Sequence, residues 1–162
     1  KAMATEIREF IVTDKIDERL ALARTAGATW TGNPETEDIV ASILDAEPEK
    51  LDVVFECCGE QEAMDQAVDL LKPGGKVMMI GIPPTLSRWS FPVDTLRRQE
   101  VCLQNVRRQN GCVQEALDHI ARGDFDVNAM VTHRFDFADT QAAFELVENY
   151  RDGVVKAMIH LA

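Results

Sequence analysis

Long hydrophobic runs are missing from this chain of 162 residues. Its longest apolar stretches, such as residues 77–82 (VMMIGI), fall far short of the roughly 20 residues that span a bilayer. Cationic residues are in short supply: 17 Lys and Arg face 28 Asp and Glu, for a net charge of −11 and a pI near 4.7. That balance argues against nucleic acid or an anionic membrane as the main partner. Cysteines number four, Cys57, Cys58, Cys102 and Cys112, two of them adjacent and none in the paired C-x-x-C spacing of a zinc site. Buried free thiols in a reducing cytoplasm are the expectation. The three histidines, His119, His133 and His160, are scattered, so no metal site is visible. No Ser-His-Asp order, activated nucleophile or pair of catalytic carboxylates stands out, and no basic-then-apolar leader opens the chain. Lys1 fits a cut chain better than a native start.

What is present is an alternation of strand and helix with short turns, the pattern of a parallel, helix-covered sheet. A strand over 9–13 leads to a helix over 16–25, stopped by Gly27. A short strand at 28–31, a turn at 32–34 and a helix at 36–46 follow, the helix with acids in its first turn. A strand at 51–56 reaches a Cys-Cys-Gly turn, and a helix at 61–71 ends at Lys72-Pro73-Gly74-Gly75. The strand at 76–81 (KVMMIG) has an apolar core too continuous for an edge exposed on one face, which predicts a central position. Beyond Pro83-Pro84 come a loop over 87–92, a short helix at 93–98, a strand at 101–106 and a helix at 113–121. The last part reads as extended at 127–135, helical at 138–150, turning at Gly153 and closing with a strand at 155–161. A domain boundary is placed at Arg122–Gly123.

Asp14 is the strongest functional candidate. Residues 8–14 (REFIVTD) form a strand ending in an acid, followed at once by a helix. In a dinucleotide-binding unit, an acid at the tip of the second strand accepts hydrogen bonds from the adenosine ribose, and it repels the 2′-phosphate of NADP. Helix capping is its bland alternative, and Lys15 beside it would tolerate a phosphate. The glycine-rich phosphate turn should lie about 20 residues upstream, yet none of the thirteen residues before Asp14 is glycine. The chain is therefore expected to be the back part of a larger protein, opening inside the first crossover helix.

Arg19, one helical turn further on, is placed to cover the adenine or ribose. Cys58 and Gly59 close one central strand, and Ile80, Gly81 and Ile82 close the next. Ligands of open α/β sheets bind outside the carboxyl ends of the strands. Gly81 permits close backbone approach to a flat nicotinamide, and Pro83-Pro84 stiffens the exit. Arg107 and Arg108, after the strand at 101–106, are available to a pyrophosphate or a substrate oxygen. Each of these has a routine structural reading of comparable weight.

The segments FIVTDKIDERLALARTAGA, DVVFECCG, LLKPGGKVMMIGIPP, NVRRQNGC and VTHRFDFADTQAAFELV, taken in that order, resemble the zinc-dependent medium-chain alcohol dehydrogenases. The resemblance covers essentially the whole chain and is nearest to the polyol branch, the sorbitol and xylitol dehydrogenases. It implies a Rossmann-like doubly wound parallel sheet, truncated at its N-terminus, over residues 1–122. A strand-helix-strand segment over 123–162 would complete the catalytic domain. It also implies NAD selected at Asp14, a basic Arg19 against the adenosine, backbone groups of Ile80 and Ile82 at the nicotinamide amide, and Arg107 bordering the ring. Further implications are an alcohol substrate, zinc held by residues outside this chain, a homo-oligomer (dimer or tetramer) and inactivity of the fragment alone. A Rossmann-like SAM-dependent methyltransferase, a zinc-free quinone oxidoreductase of the same superfamily and a non-enzymatic relative remain as alternatives.

Overall fold

The computed structural model describes residues 7–84, 88–107, 111–124 and 126–161. Strand and helix alternate through β1 (Ile11–Thr13), α1 (Asp17–Thr25), β2 (Trp30–Gly32), α2 (Ile39–Ala46), β3 (Leu51–Glu56), α3 (Gln61–Leu70), β4 (Leu71–Met79), α4 (Val93–Arg98), β5 (Cys102–Asn105), α5 (Val113–Ala121), β6 (Val131–Asp136), α6 (Thr140–Glu148) and β7 (Lys156–His160). Every strand pairing among the described residues is parallel, as crossovers through helices require. The strands pair as β1-β2, β3-β4-β5 and β6-β7. The class is the α/β, parallel-sheet one expected. No helix of the described residues is long and apolar enough to cross a membrane.

The chain forms two compact units, residues 7–37 with 111–161 and residues 38–107. In the second, β4 is the central strand, in keeping with its apolar run. Its start differs from expectation: it begins at Leu71, because Leu71 pairs with Leu51 before Val53 pairs with Lys76. The Pro-Gly-Gly segment is thus an irregularity inside a strand, with Gly74 at φ +78° and its N–H donated to the Gln99 carbonyl at 2.7 Å. Met64 and Ala67 of α3, with Leu71 and Val77 of β4, are buried together, and Val54, Trp89, Phe91 and Leu103 pack around them. The loop before α4 is held by a reciprocal pair: Ser90 N–H donates to Gln61 Oε1 (2.9 Å) and Gln61 Nε2 to the Ser90 carbonyl (3.0 Å). Ser87, the first residue of that expected loop, lies outside the described residues. The helix expected from residue 36 starts at Ile39, with Asp38 as its N-cap accepting the Ala41 N–H at 3.0 Å. β3 is the outer strand of its sheet, and its Val53 and Phe55 are 42% and 62% exposed.

In the other unit, Leu20 of α1, Ala143 of α6 and Val154 are buried. Gly27 ends the α1 segment at φ +100°, a conformation that favours glycine. Two short 3-10 turns, Asn128–Met130 and Phe137–Asp139, replace the ends of the expected extended and helical stretches. Thr140 Oγ1 donates to the Phe137 carbonyl at 2.6 Å, which favours a tight turn before α6. The expectation of buried thiols is corrected: all four cysteines are free and exposed. Cys57 and Cys58 sit in a turn beyond β3, and Cys102 opens β5, the sheet's other outer strand.

Candidate functional site

At the carboxyl end of β1, the Asp14 N–H donates to the Gly32 carbonyl at 3.3 Å. Its Oδ1 accepts the Ile16 N–H at 2.9 Å, an Asx turn that leads the chain into α1. Oδ2 lies 3.7 Å from Arg19 Nη1, the two side chains being 29% and 31% exposed. The Arg19 guanidinium lies over the Tyr150 ring, 5.1 Å from its centre, within cation–π range. Asp14 and Arg19 are therefore brought together, with Lys15 exposed beside them. Sequence reasoning missed Asn33, which is buried. Its Nδ2 donates to the Lys15 carbonyl (3.2 Å) and Asp17 Oδ1 (2.9 Å), and its Oδ1 accepts the Glu35 N–H (3.0 Å). This side chain fixes the turn just past Asp14; in the sequence, Gly-Asn-Pro signals only a turn.

A second group forms at the carboxyl ends of β3 and β4. Glu56, only 3% exposed, accepts at Oε1 from the Cys58 N–H (2.8 Å), the Gly59 N–H (2.7 Å) and the Cys58 thiol (3.0 Å). Its backbone carbonyl accepts the Ile80 and Gly81 N–H groups at 2.8 and 2.9 Å. Gly59 adopts φ +84°, and a Cβ there would lie 2.6 Å from the Ile82 carbonyl oxygen. A Cβ on Gly81 would lie 2.3 Å from the Gly59 nitrogen and 2.4 Å from Glu56 Oε2. Both positions admit only glycine without displacing backbone. Cys58, Gly59, Gly81 and Ile82 are thus one interlocked edge, with Ile80 bonded into it. Ile80 and Ile82 are 42% and 72% exposed, which leaves an apolar surface for a flat ring. Partial burial pushes both thiols above their ordinary value of 9.0, Cys58 further through its hydrogen bond to Glu56. Both are thiols at neutral pH.

Arg107 is exposed two residues beyond β5, and the neighbouring Val106 N–H bonds the Met79 carbonyl at 3.1 Å. Arg108 lies outside the described residues. Elsewhere, in the unit that carries Asp14, a cleft of about 690 Å3 is lined by residues that include Glu18, Thr132, His133, Tyr150 and Asp152. His133 Nε2 is 3.2 Å from Asp152 Oδ2 there, and the two acids make it a poor receptor for phosphate. Among the described residues, no three His, Cys, Asp or Glu side chains gather as a metal centre. Within its own unit, the glycine-only backbone crossing at the carboxyl ends of two parallel strands has the chemistry to take a flat cofactor ring; within the other, Asp14 is an acid held at a strand tip.

The zinc-binding dehydrogenase family profile matches residues 2–122. The chain is 35% identical over 155 residues to an uncharacterized zinc-type alcohol dehydrogenase-like protein of Escherichia coli, covering 95% of this chain and 44% of that protein. It is 30% identical over 166 residues to sorbitol dehydrogenase 1 of Saccharomyces cerevisiae, covering 98% of this chain and 46% of the relative. A solved structure from Sinorhizobium meliloti, assigned provisionally to the zinc-binding dehydrogenases and bound to NADP, superposes with a TM-score of 0.85 at 25% identity. That match covers 95% of this chain and 45% of the other. The chain thus spans less than half the length of these relatives.

Proposed function

The chain belongs to the zinc-binding dehydrogenase family, and from that membership we propose that it is the NAD-binding part of an oxidoreductase taking hydride from an alcohol, a polyol by preference, with zinc assistance. The observation that carries the cofactor assignment is the crossing of Gly59 with the Gly81–Ile82 backbone, where no Cβ fits. At that edge, backbone groups of Ile80 and Ile82 meet the nicotinamide amide, with Cys58 and Gly59 lining it and Arg107 bordering the ring. Asp14 accepts hydroxyls of the adenosine ribose through the carboxylate oxygen that Ile16 leaves open, and Arg19 lies against the adenosine. NAD, when bound, supplies the hydride acceptor. The Asp14 carboxylate disfavours a 2′-phosphate by repulsion, and Arg19 beside it moderates that preference.

Similarity to a sorbitol dehydrogenase supports the polyol reading. Zinc enters through the family alone: it would be held outside this chain, and none of these residues acts through it. By the same reading the isolated chain is inactive. Residues 1–122 are the cofactor domain and 123–162 complete the catalytic domain; the end of the family match at residue 122 supports that boundary. The enzyme works as a dimer or tetramer in the cytoplasm.

The test is NAD reduction by the full-length protein with sorbitol, xylitol, threonine and a primary alcohol, with and without a strong chelator. Chelator-sensitive oxidation of a polyol is the expected result. Turnover that survives metal removal would move the assignment to the zinc-free quinone oxidoreductases of the same superfamily. No turnover with NAD or NADP would overturn it.

A further inference from the structure

Glu56 is a buried acid that the reading above leaves without a task. Its Oε1 gathers two backbone N–H groups and a thiol, while its own carbonyl takes the N–H groups of Ile80 and Gly81. Oε2 is buried with no hydrogen-bond partner in the described structure, packed where a Cβ on Gly81 would fall 2.4 Å away. One residue thus holds both sides of the crossing: the turn after β3 through its side chain, and the exit from β4 through its backbone. A turn of this length needs only one acceptor to close. A carboxylate whose second oxygen stays unpartnered against Gly81 is an expensive way to supply one.

We infer that Glu56 is the positioning residue of the nicotinamide end of the site, setting the Gly59–Ile82 contact and so the placement of the Ile80 and Ile82 backbone groups. This rests on the cofactor reading proposed above. Glu56 touches no reacting atom; it acts through Gly59 and Gly81. Removing its carboxylate should therefore loosen the grip on the nicotinamide end and leave the binding of the rest of the cofactor intact. Replacement by Gln keeps an acceptor for Gly59 and puts a neutral amide N–H2 against Gly81 in place of the unpartnered oxygen. Replacement by Asp keeps the charge but falls one methylene short of Gly59.

The experiment is calorimetric titration of the full-length protein and its Glu56→Gln and Glu56→Asp variants with NADH and with ADP-ribose, which lacks the nicotinamide. The expected result is a loss of about tenfold in NADH affinity, the scale of one lost charge-assisted hydrogen bond. ADP-ribose affinity should stay within about twofold, because the groups that hold it are untouched. Retained ADP-ribose binding also certifies folding. If Glu56→Gln does not fold, Glu56→Asp carries the same expectation. Equal losses for both ligands, or no loss for either, would overturn the inference and leave the cofactor reading standing. A wild-type protein that binds neither ligand would overturn both.

Discussion

At the scale of single residues, Asp14 has a divided role. One carboxylate oxygen closes the turn to Ile16 and the other lies near Arg19, so part of its charge is answered inside the protein. Asp14→Ala in the full-length protein is expected to weaken NAD binding about tenfold, the scale of a lost charge-assisted hydrogen bond, and to relax discrimination against NADP. Dissociation constants for the two cofactors check this; an unchanged NAD/NADP preference would remove Asp14 from the site. The place of Asp14 at a strand tip was legible in the sequence because a strand, an acid and a helix follow one another without a gap. Glu56 and Asn33 were not. A glutamate after LDVVF reads as a polar strand end turned to solvent, and only the contacts around it reveal burial. Its visible trace is spacing alone: an acid three residues before a glycine, with two small residues between.

At the scale of elements, Asp38 shows how a side chain sets a boundary. Sequence patterning started a helix at residue 36, but α2 begins at Ile39 because the Asp38 carboxylate accepts the Ala41 N–H. Asp38→Ala is expected to destabilise the protein by about 1 kcal/mol, the usual cost of losing an N-cap. Chemical denaturation should register it as a lower midpoint at unchanged slope. Type and order of the elements were readable, since α3, α4, α5 and β3 fall within a residue of expectation. The start of β4 was not, because Pro-Gly-Gly is the strongest local stop signal and only pairing with β3 overrides it. The packing of half-buried Trp89 and Phe91 against the core was equally hidden: their segment has no periodicity, and the Gln61–Ser90 pair that fastens it spans 29 residues of sequence.

At the scale of the whole molecule, the parallel α/β class was plain from the alternation of elements, and the partition of the described strands into three sheets was not. The chain spans less than half of its relatives, and the site residues proposed above would line a cofactor without supplying acid, base or metal. The isolated chain is expected to show no alcohol-dependent NAD reduction under conditions where the full-length protein turns over. Measurable turnover by the chain alone would place catalytic groups within these residues. The all-parallel pairing has a kinetic consequence as well. Ile11 meets Trp30, Val53 meets Lys76 and Phe135 meets Ile159, so no described strand finds its neighbour through a hairpin. Each pairing must wait for a helix-sized loop to close, which raises contact order and slows folding. Among the described residues no strand pairs with the outer edge of β3, where Val53 and Phe55 face water, so throughout that search this edge of the chain is an open template for intermolecular strand addition. Recovery of native material should therefore depend on chain concentration during refolding more than on the depth of the final energy well.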